Sequence, residues 1–200
     1  MNERSFIQGV YMKKQKIIDS AIRIMADNSY SNTTTRMIAL EAEIAVGSIY
    51  THFKSKDDIL DYLFESEYEK RKQFLNSLEI SEGSNLSKLL QFIDFHFLEL
   101  KLNENLTKVL IRESSNPDLA DLEGIRKFSS SLPNEFAKII ESAIKDNEIR
   151  AVDPTIVSNI IFNLIRGSVY SVAISQSGSL DAMKREVVIF IEKALRKDNL

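Results

Sequence analysis

The stretch VGSIYTHFKSKDDIL, residues 46–60, changes character repeatedly within a short span. Val46 and Gly47 are small and apolar. Ser48, Tyr50, Thr51 and His52 then bring hydroxyls, a phenol and an imidazole, Lys54 and Lys56 bring amines, and Asp57 and Asp58 bring carboxylates. Ile49 and Phe53, four residues apart, give the segment an inward side. Ser55 followed by Asp58 reads as a capping box that opens a new helix. Burial does not account for the remaining polar side chains, because too few apolar partners accompany them. The segment predicts a short helix over about 46–52 with its polar side turned to another surface. The alternatives are a solvated corner between helices and, for Tyr50 alone, a place in the core.

Upstream, Ile17, Ile18, Ala21, Ile22 and Met25 follow the spacing of one buried helical face, predicting a helix over about 13–28. NSYSNTT supplies a turn, and Thr33 or Thr34 caps a second helix, about 35–42, that turns Ile38 and Ala39 inward. A break at Glu43–Ala45 leads into the quoted stretch. Two short helices joined by a tight turn let the second lie in the major groove of DNA while the first spans the backbone. In that arrangement Gly47 permits close approach, and Val46 can touch a thymine methyl. Ser48 and Thr51 reach phosphates or base edges, and Tyr50 and His52 donate to phosphate. Lys54 and Lys56 sit beside the next helix N-terminus, whose free N–H groups can also take a phosphate. Thr34 and Thr35 act as caps, phosphate contacts or both. Arg36 and Ala45 complete the candidate DNA-contacting set.

Residues 17–60, IIDSAIRIMADNSYSNTTTRMIALEAEIAVGSIYTHFKSKDDIL, resemble the DNA-binding domain of the TetR family of bacterial transcriptional repressors. The matching parts are the IIDSAI helix, Tyr30, TTTRMIA, GSIYTHF and SKDDIL. The resemblance implies a homodimer on a palindromic operator, an effector domain downstream, and last helices that form a four-helix bundle with the symmetry mate. Two positions depart from the family pattern, which has glycine where Ser29 and Glu43 stand. Either the backbone differs there, or packing of Tyr30 and Ile44 absorbs the strain; Glu43 also brings a negative charge near phosphate.

Beyond residue 55 the periodicity remains helical, and no segment reads as a strand. The expected fold is all-α with about nine helices: a three-helix helix-turn-helix domain, then a helical ligand-binding and dimerisation domain. Residues 1–12 read as a flexible arm, either a disordered tail or one that reaches the minor groove through Arg4; residues 13–57 form the DNA-binding domain and 58–200 the effector-binding and dimerisation domain. A helix with Ile59, Leu60, Leu63 and Phe64 inward runs to the mid-70s. A loop (79–87) precedes a strongly apolar helix, followed by helices over 104–114, over 118–147 with a bend near Pro133, over 154–174 opened by Asp153 and Pro154, and over 180–197.

Eleven phenylalanines are generous for such a domain. Phe92, Phe95, Phe128, Phe136 and Phe162, with Leu110, are core by default, or the lining of a cavity for an acyl chain or a flat apolar molecule. His96 reads as a satisfied core residue, a pocket wall or, least of all, a metal ligand. Arg112 either pairs with Glu113 or faces an anionic effector. Asn163 and Arg166 interrupt an apolar helix, and so mark a dimer rim or a ligand head group. Gly167, Ser168 and Ser171 permit close backbone approach, and Val187, Val188, Ile191 and Leu195 stripe the last helix; these are the candidate dimerisation residues. The segment VLIRESSNPDL (109–119) resembles the repressors of fatty-acid metabolism that answer to acyl-CoA, with a multidrug sensor controlling an efflux pump as the alternative.

The net charge of −3 does not advertise a nucleic-acid binder. Residues 1–60 hold eight Lys/Arg and seven Asp/Glu, a net of +1, so DNA contact must come from local placement of charge. The absence of cysteine excludes disulfides, thiolate metal sites and thiol nucleophiles. Two histidines and six scattered glycines supply no dinucleotide or phosphate loop, so an enzyme has little support and no cofactor or metal is expected. The N-terminus does not read as a signal peptide, and no uncharged run is long enough to span a bilayer. The expected partners are therefore operator DNA, a second copy and a small apolar effector in the cytoplasm, with no membrane. A helical protein–protein adaptor is the rival of another class.

Overall fold

In the computed structural model, which describes residues 3–197 with side chains from Val10 onward, helix α1 spans Glu3–Asn32. It begins well before position 13, so residues 3–12, read as an arm, continue the helix; the side chain of Arg4 lies outside the described residues. Near its end α1 breaks at Ser29, which takes φ 66° and ψ 162°. Then follow α2 (Thr35–Glu41), α3 (Val46–Ile49), α4 (Lys56–Glu79), α5 (Asn85–Leu102) and α6 (Glu104–Glu113). A 3₁₀ turn (Pro117–Leu119) precedes α7 (Glu123–Arg126), a π turn (Lys127–Ser131) and α8 (Leu132–Lys145); α9 (Pro154–Ala173) and α10 (Leu180–Leu195) close the chain. Because α7, the π turn and α8 run on as one rod, the described residues form nine helical rods and no strand, as the periodicity predicts.

Side-chain caps set many of the helix starts. Thr34 accepts from Met37 N (3.2 Å), Ser55 from Asp58 N (3.1 Å) and Asp153 from Ile156 N (2.9 Å). The bend expected near Pro133 is a π turn just ahead of it. Proline has no N–H to give and its ring crowds the carbonyl four residues back, so the helical ladder widens there without breaking.

Ile17, Ile38, Ile49 and Phe53 form the interior of the N-terminal bundle, all 3 % exposed or less. Phe64, Phe92, Phe97, Phe136 and Ile140 fill the larger one. Helix α4 belongs to both. The rod that begins with α7 presses on it so closely that a Cβ at Gly124 would collide with the backbone of Asp61 and Glu65; the Gly124 N–H donates to Asp61 Oδ1 at 2.6 Å. Helix α9 is long and apolar enough to cross a bilayer by length and composition alone. One side of it, with Ile161, Phe162, Ile165 and Val169, is buried in the core.

Candidate nucleic-acid interface and effector core

The helix-turn-helix surface is built on Ile38, Ala39, Ile49 and Phe53, which turn inward and leave their neighbours outside. Thr34, Arg36, Ala45, Val46, Gly47, Tyr50, Thr51 and Lys54 are exposed, and Thr35, Ser48 and His52 half-buried. Tyr50, 55 % exposed, is not a core residue. Its hydroxyl lies 3.3 Å from Thr35 Oγ1, joining α2 to the turn after α3 on one face. Helix α3 is shorter than predicted, and Tyr50 to His52 continue it as a turn. Beyond its own helix backbone and chain neighbours, no heavy atom of the described residues stands within 4 Å of the place a Cβ would take at Gly47, so packing does not require glycine there.

Two expectations are corrected on this surface. Lys56 does not face outward: its Nζ donates to the carbonyls of Tyr30 and Thr33, both at 2.8 Å, and lies 4.0 Å from the Tyr30 ring centroid. It closes the open end of α1. At the N-terminus of α4, Ser55 Oγ caps the N–H of Asp58, and Asp58 Oδ2 accepts from Lys54 N at 2.8 Å just ahead of the helix. With two acids in that first turn the helix end is already compensated, and a phosphate gains little there.

The junction between the two bundles is polar and gripped from several sides. The Tyr30 hydroxyl hydrogen-bonds Asp57, and burial together with the Asp57 bond and charge pushes the phenol far above its ordinary pKa. Glu113, buried, accepts from Tyr30 N at 3.1 Å. Arg112 does not pair with Glu113; it reaches the carbonyls of Met25 and Ala26 at 3.4 Å. The end of α6 thus holds α1 on both sides of the Ser29 break, by carbonyls before it and an amide after it.

The aromatic residues expected to line a cavity close on one another. Phe92 and Phe136 lie 5.4 Å apart, Phe64 and Phe128 5.5 Å, His96 and Phe162 5.6 Å, and Phe128 and Phe162 5.9 Å, centroid to centroid. Phe95 sits at the edge, half-buried and stacked on Phe74 at 4.0 Å. Leu110 is fully enclosed. Asn163 is exposed, and Arg166 lies along the same outer side, donating to Asn163 Oδ1 (2.8 Å) and Ser115 Oγ (2.6 Å). These two, with Arg112 and Tyr170, line a shallow groove of 450 Å³. They do not reach the aromatic interior.

That interior holds a charged group that sequence reasoning missed. Arg71 is completely buried. Its Nε donates to His96 Nδ1 (2.8 Å), and its Nη1 donates to the Glu67 carbonyl (2.9 Å) and carboxylate (2.5 Å). Its Nη2 has no hydrogen-bond partner among the described residues. The guanidinium lies 5.1 Å from the Phe128 ring centroid. Burial raises the Glu67 pKa, but the Arg71 charge and the bonds from Lys70 and Arg71 outweigh that and hold the carboxyl below its usual value. Burial first, and then the Arg71 charge, keep His96 neutral well below 6.5. His96 is therefore a hydrogen-bonded core residue, and among the described residues no cluster of three or more His, Asp or Glu offers a metal site. An unmet buried donor costs about 1–3 kcal/mol. A signal was present: Leu60, Phe64, Glu67, Arg71, Leu75 and Leu78 share one helical stripe, with an acid and a base in its middle.

A mixed cavity of 390 Å³ opens where α5 meets α6, beside the end of α9 and the start of α10; Leu100, Thr107, Val169 and Leu180 line it with Lys101, Lys108 and Asp181. The expected dimerisation stripe needs correction too. Val187, Ile191 and Leu195 are buried in the chain's own core and Val188 is half-buried. The exposed apolar residues are Ile156, Ile160 and Tyr170 on α9 and Ile189 and Phe190 on α10. Gly167 is exposed among them, whereas Ser168 and Ser171 are half-buried.

Comparison with known proteins places this geometry among regulators. Residues 17–63 match the family described as bacterial regulatory proteins, tetR family. The fatty acid metabolism regulator protein of Bacillus subtilis is 32% identical over 157 residues, covering 76% of this chain and 79% of the relative. The crystal structure of the transcriptional regulator FadR from Bacillus subtilis in complex with stearoyl-CoA superposes with a TM-score of 0.74 at 30% identity, covering 88% of this chain and 96% of that one. A putative TetR-family regulator from Syntrophomonas wolfei reaches a TM-score of 0.81 at 20% identity, over 92% and 95% of the two chains, a likeness of fold.

Proposed function

The chain belongs to the TetR family of bacterial transcriptional regulators, and from that premise we propose that it is a homodimeric repressor, released from a palindromic operator by a long-chain acyl effector such as an acyl-CoA or fatty acid. The observation that carries the DNA-binding part is Gly47. It stands in a short helix with open space around it, between exposed Val46 and Tyr50, in a position where alanine would fit the fold. A missing side chain there serves whatever lies against the helix. The acyl part is supported by the relative at 30% identity whose crystal structure holds stearoyl-CoA. The second copy covers Ile156, Ile160, Ile189 and Phe190, an apolar face that a lone chain would leave wet.

Release follows from which helices are shared. Effector bound in the core shifts α4 and α6, and these two hold α1 through Lys56, Asp57, Arg112 and Glu113. An effector that prefers one arrangement of α4 and α6 thereby prefers one spacing of the two DNA-reading helices. The test begins with duplexes selected from a random pool and measures affinity by fluorescence anisotropy across a salt series. Binding is expected to weaken steeply with salt. Gly47→Ala and Tyr50→Ala each reduce affinity about tenfold or more while leaving the melting temperature unchanged or raised, since alanine favours a helix over glycine by about 1 kcal/mol. Palmitoyl-CoA releases the wild-type complex. Wild-type affinity in both variants, or indifference to duplex at low salt, overturns the reading.

A further inference from the structure

Two arginines without a carboxylate partner stand over one hollow. Arg112, near the end of α6, and Arg166, in α9, line the shallow groove of 450 Å³ with Ser115, Asn163 and Tyr170. Arg23 and Arg71 pair with carboxylates, whereas among the described residues Arg112 and Arg166 do not. A smaller hollow of 200 Å³ shares Ser115 with the groove and is lined by Arg126 with Ser114, Ser129 and Ser130. Resting on the acyl-effector reading, we propose that these two hollows receive the phosphate-bearing end of an acyl-coenzyme A effector, and that the phosphate draws Arg112 off the carbonyls of α1.

Charge decides the class. The chain carries 29 acidic residues against 26 Lys/Arg, yet neither hollow is lined by an acid. Glu113, next to Arg112 in sequence, is buried and engaged elsewhere, with Tyr30 N and Asn116. The mixed cavity farther along α6 differs, because Glu104 and Asp181 there offset Lys101 and Lys108. Guanidinium groups interspersed with hydroxyls suit phosphate oxygens, which accept from arginine in pairs. Arg166 spends Nη1 on Ser115 Oγ and Nη2 on Asn163 Oδ1, both neutral acceptors, and its remaining N–H groups stay available. Coenzyme A carries a diphosphate and a separate 3′-phosphate, so adjoining cationic hollows match its anionic points. Tyr170, 47 % exposed, offers a ring to the adenine.

The same groove touches the DNA-reading half. Arg112 reaches the Met25 and Ala26 carbonyls at 3.4 Å, longer than a strong N–H···O bond, so a charged phosphate oxygen outcompetes them. Losing those bonds frees α1 ahead of the Ser29 break and leaves Glu113 holding the amide after it. A head group bound there prefers the arrangement with α1 released, which is the differential affinity an effector needs. The acyl chain has a course as well. Thr107, one helical turn before Ile111 and about 6 Å along α6, opens the mixed cavity, where Leu100, Val169 and Leu180 supply apolar wall.

The experiment uses the full chain with palmitoyl-CoA, with S-palmitoyl-pantetheine, the same thioester without phosphates, and with palmitate, each below its micelle concentration. Calorimetry gives affinity, phosphorus NMR follows the phosphates, and anisotropy gives operator affinity at saturating ligand. Palmitoyl-CoA is expected to bind at least about tenfold more tightly than the other two, its phosphorus resonances moving on binding. Arg166→Gln removes that movement and weakens palmitoyl-CoA binding about ten- to a hundredfold, the scale of charge-assisted hydrogen bonds, while palmitoyl-pantetheine binds as before. Arg126→Gln, at an exposed residue, acts in the same direction. At saturation palmitoyl-CoA weakens operator binding at least about tenfold more than palmitoyl-pantetheine does. Palmitoyl-pantetheine or palmitate binding as tightly as palmitoyl-CoA, or wild-type affinity for palmitoyl-CoA in both variants, overturns the site. Equal weakening of the operator complex overturns the action on Arg112. If Arg166→Gln breaks the dimer in sedimentation and leaves the preference for palmitoyl-CoA intact, the groove belongs to the second copy and the proposal falls. A phosphate-free thioester that binds equally and releases the operator removes the head-group site alone. If none of the three binds, the effector reading falls with it.

Discussion

Ser29 holds φ 66° and ψ 162°, a region of backbone that only glycine enters freely, and Glu43 holds φ 52°. The departure from glycine at these two positions thus leaves the positive φ in place, and the side chains bear strain. Around Ser29 the strain is held by neighbours: its carbonyl accepts from Thr33 Oγ1 at 2.7 Å, and the next amide is bound by Glu113. Ser29→Gly is therefore expected to raise the unfolding free energy by about 1–2 kcal/mol in urea titrations; no gain would mean that the serine is not strained. His96 carries a second expectation. Folded, its ring stays neutral; unfolded, it takes a proton near the ordinary 6.5. The unfolded state then binds more protons below that pH, so stability falls as pH drops, by up to about 1.4 kcal/mol per unit. Glu67, held low by its partners, gives stability that is lost only at more acid pH, as the pH falls through its folded value. Denaturation midpoints followed from pH ~7 to ~5.5 should decline for the wild type, and more shallowly for His96→Phe.

At the level of elements, the seat of α7 on α4 is the least forgiving contact. A methyl at Gly124 would stand 2.2 Å from the Asp61 carbonyl oxygen and 2.8 Å from Glu65 N, backbone atoms of α4 that cannot swing aside as a side-chain end can. Gly124→Ala is expected to destabilise by about 1–3 kcal/mol and to lower the melting temperature by several degrees, although alanine is the better helix former. A melting temperature at or above wild type would show that the rod shifts freely. Helix starts were readable in the sequence because their information is local: a hydroxyl or carboxylate, then an amide two or three residues on. The core of α4 was readable in part, since the apolar members of its stripe stand out. Arg71 stands on that same stripe, but what encloses it is His96, twenty-five positions away, so the stripe alone does not reveal a buried charge. Lys56 looked like a phosphate contact for the same reason: its partners are the carbonyls of Tyr30 and Thr33, and nothing near residue 56 announces them. In α10 two adjacent apolar sides exist, and periodicity alone does not say that Val187, Ile191 and Leu195 face home while Ile189 and Phe190 face away.

For the whole molecule, the outward apolar side of α9 and α10 sets the expected assembly. Replacing Ile160 and Phe190 by glutamate places charges on that face without touching the chain's own core. Sedimentation should then report a monomer whose helical circular dichroism is retained, and binding to a palindromic duplex should fall far below binding by the wild type. A variant that remains dimeric would put the interface elsewhere. Helix α4 has a further consequence. It is one uninterrupted rod from Lys56 to Glu79, about 36 Å long, with Asp57 engaged at one end and Arg71 enclosed about 21 Å further along. Each residue of such a rod adds 1.5 Å and turns the remainder by 100°. The angular phase between the N-terminal bundle and the aromatic core is therefore written into residue count, and a single residue inserted between positions 58 and 66 would wind one end out of its socket, whereas the loops at 80–84 and 146–153 can change length without altering that phase.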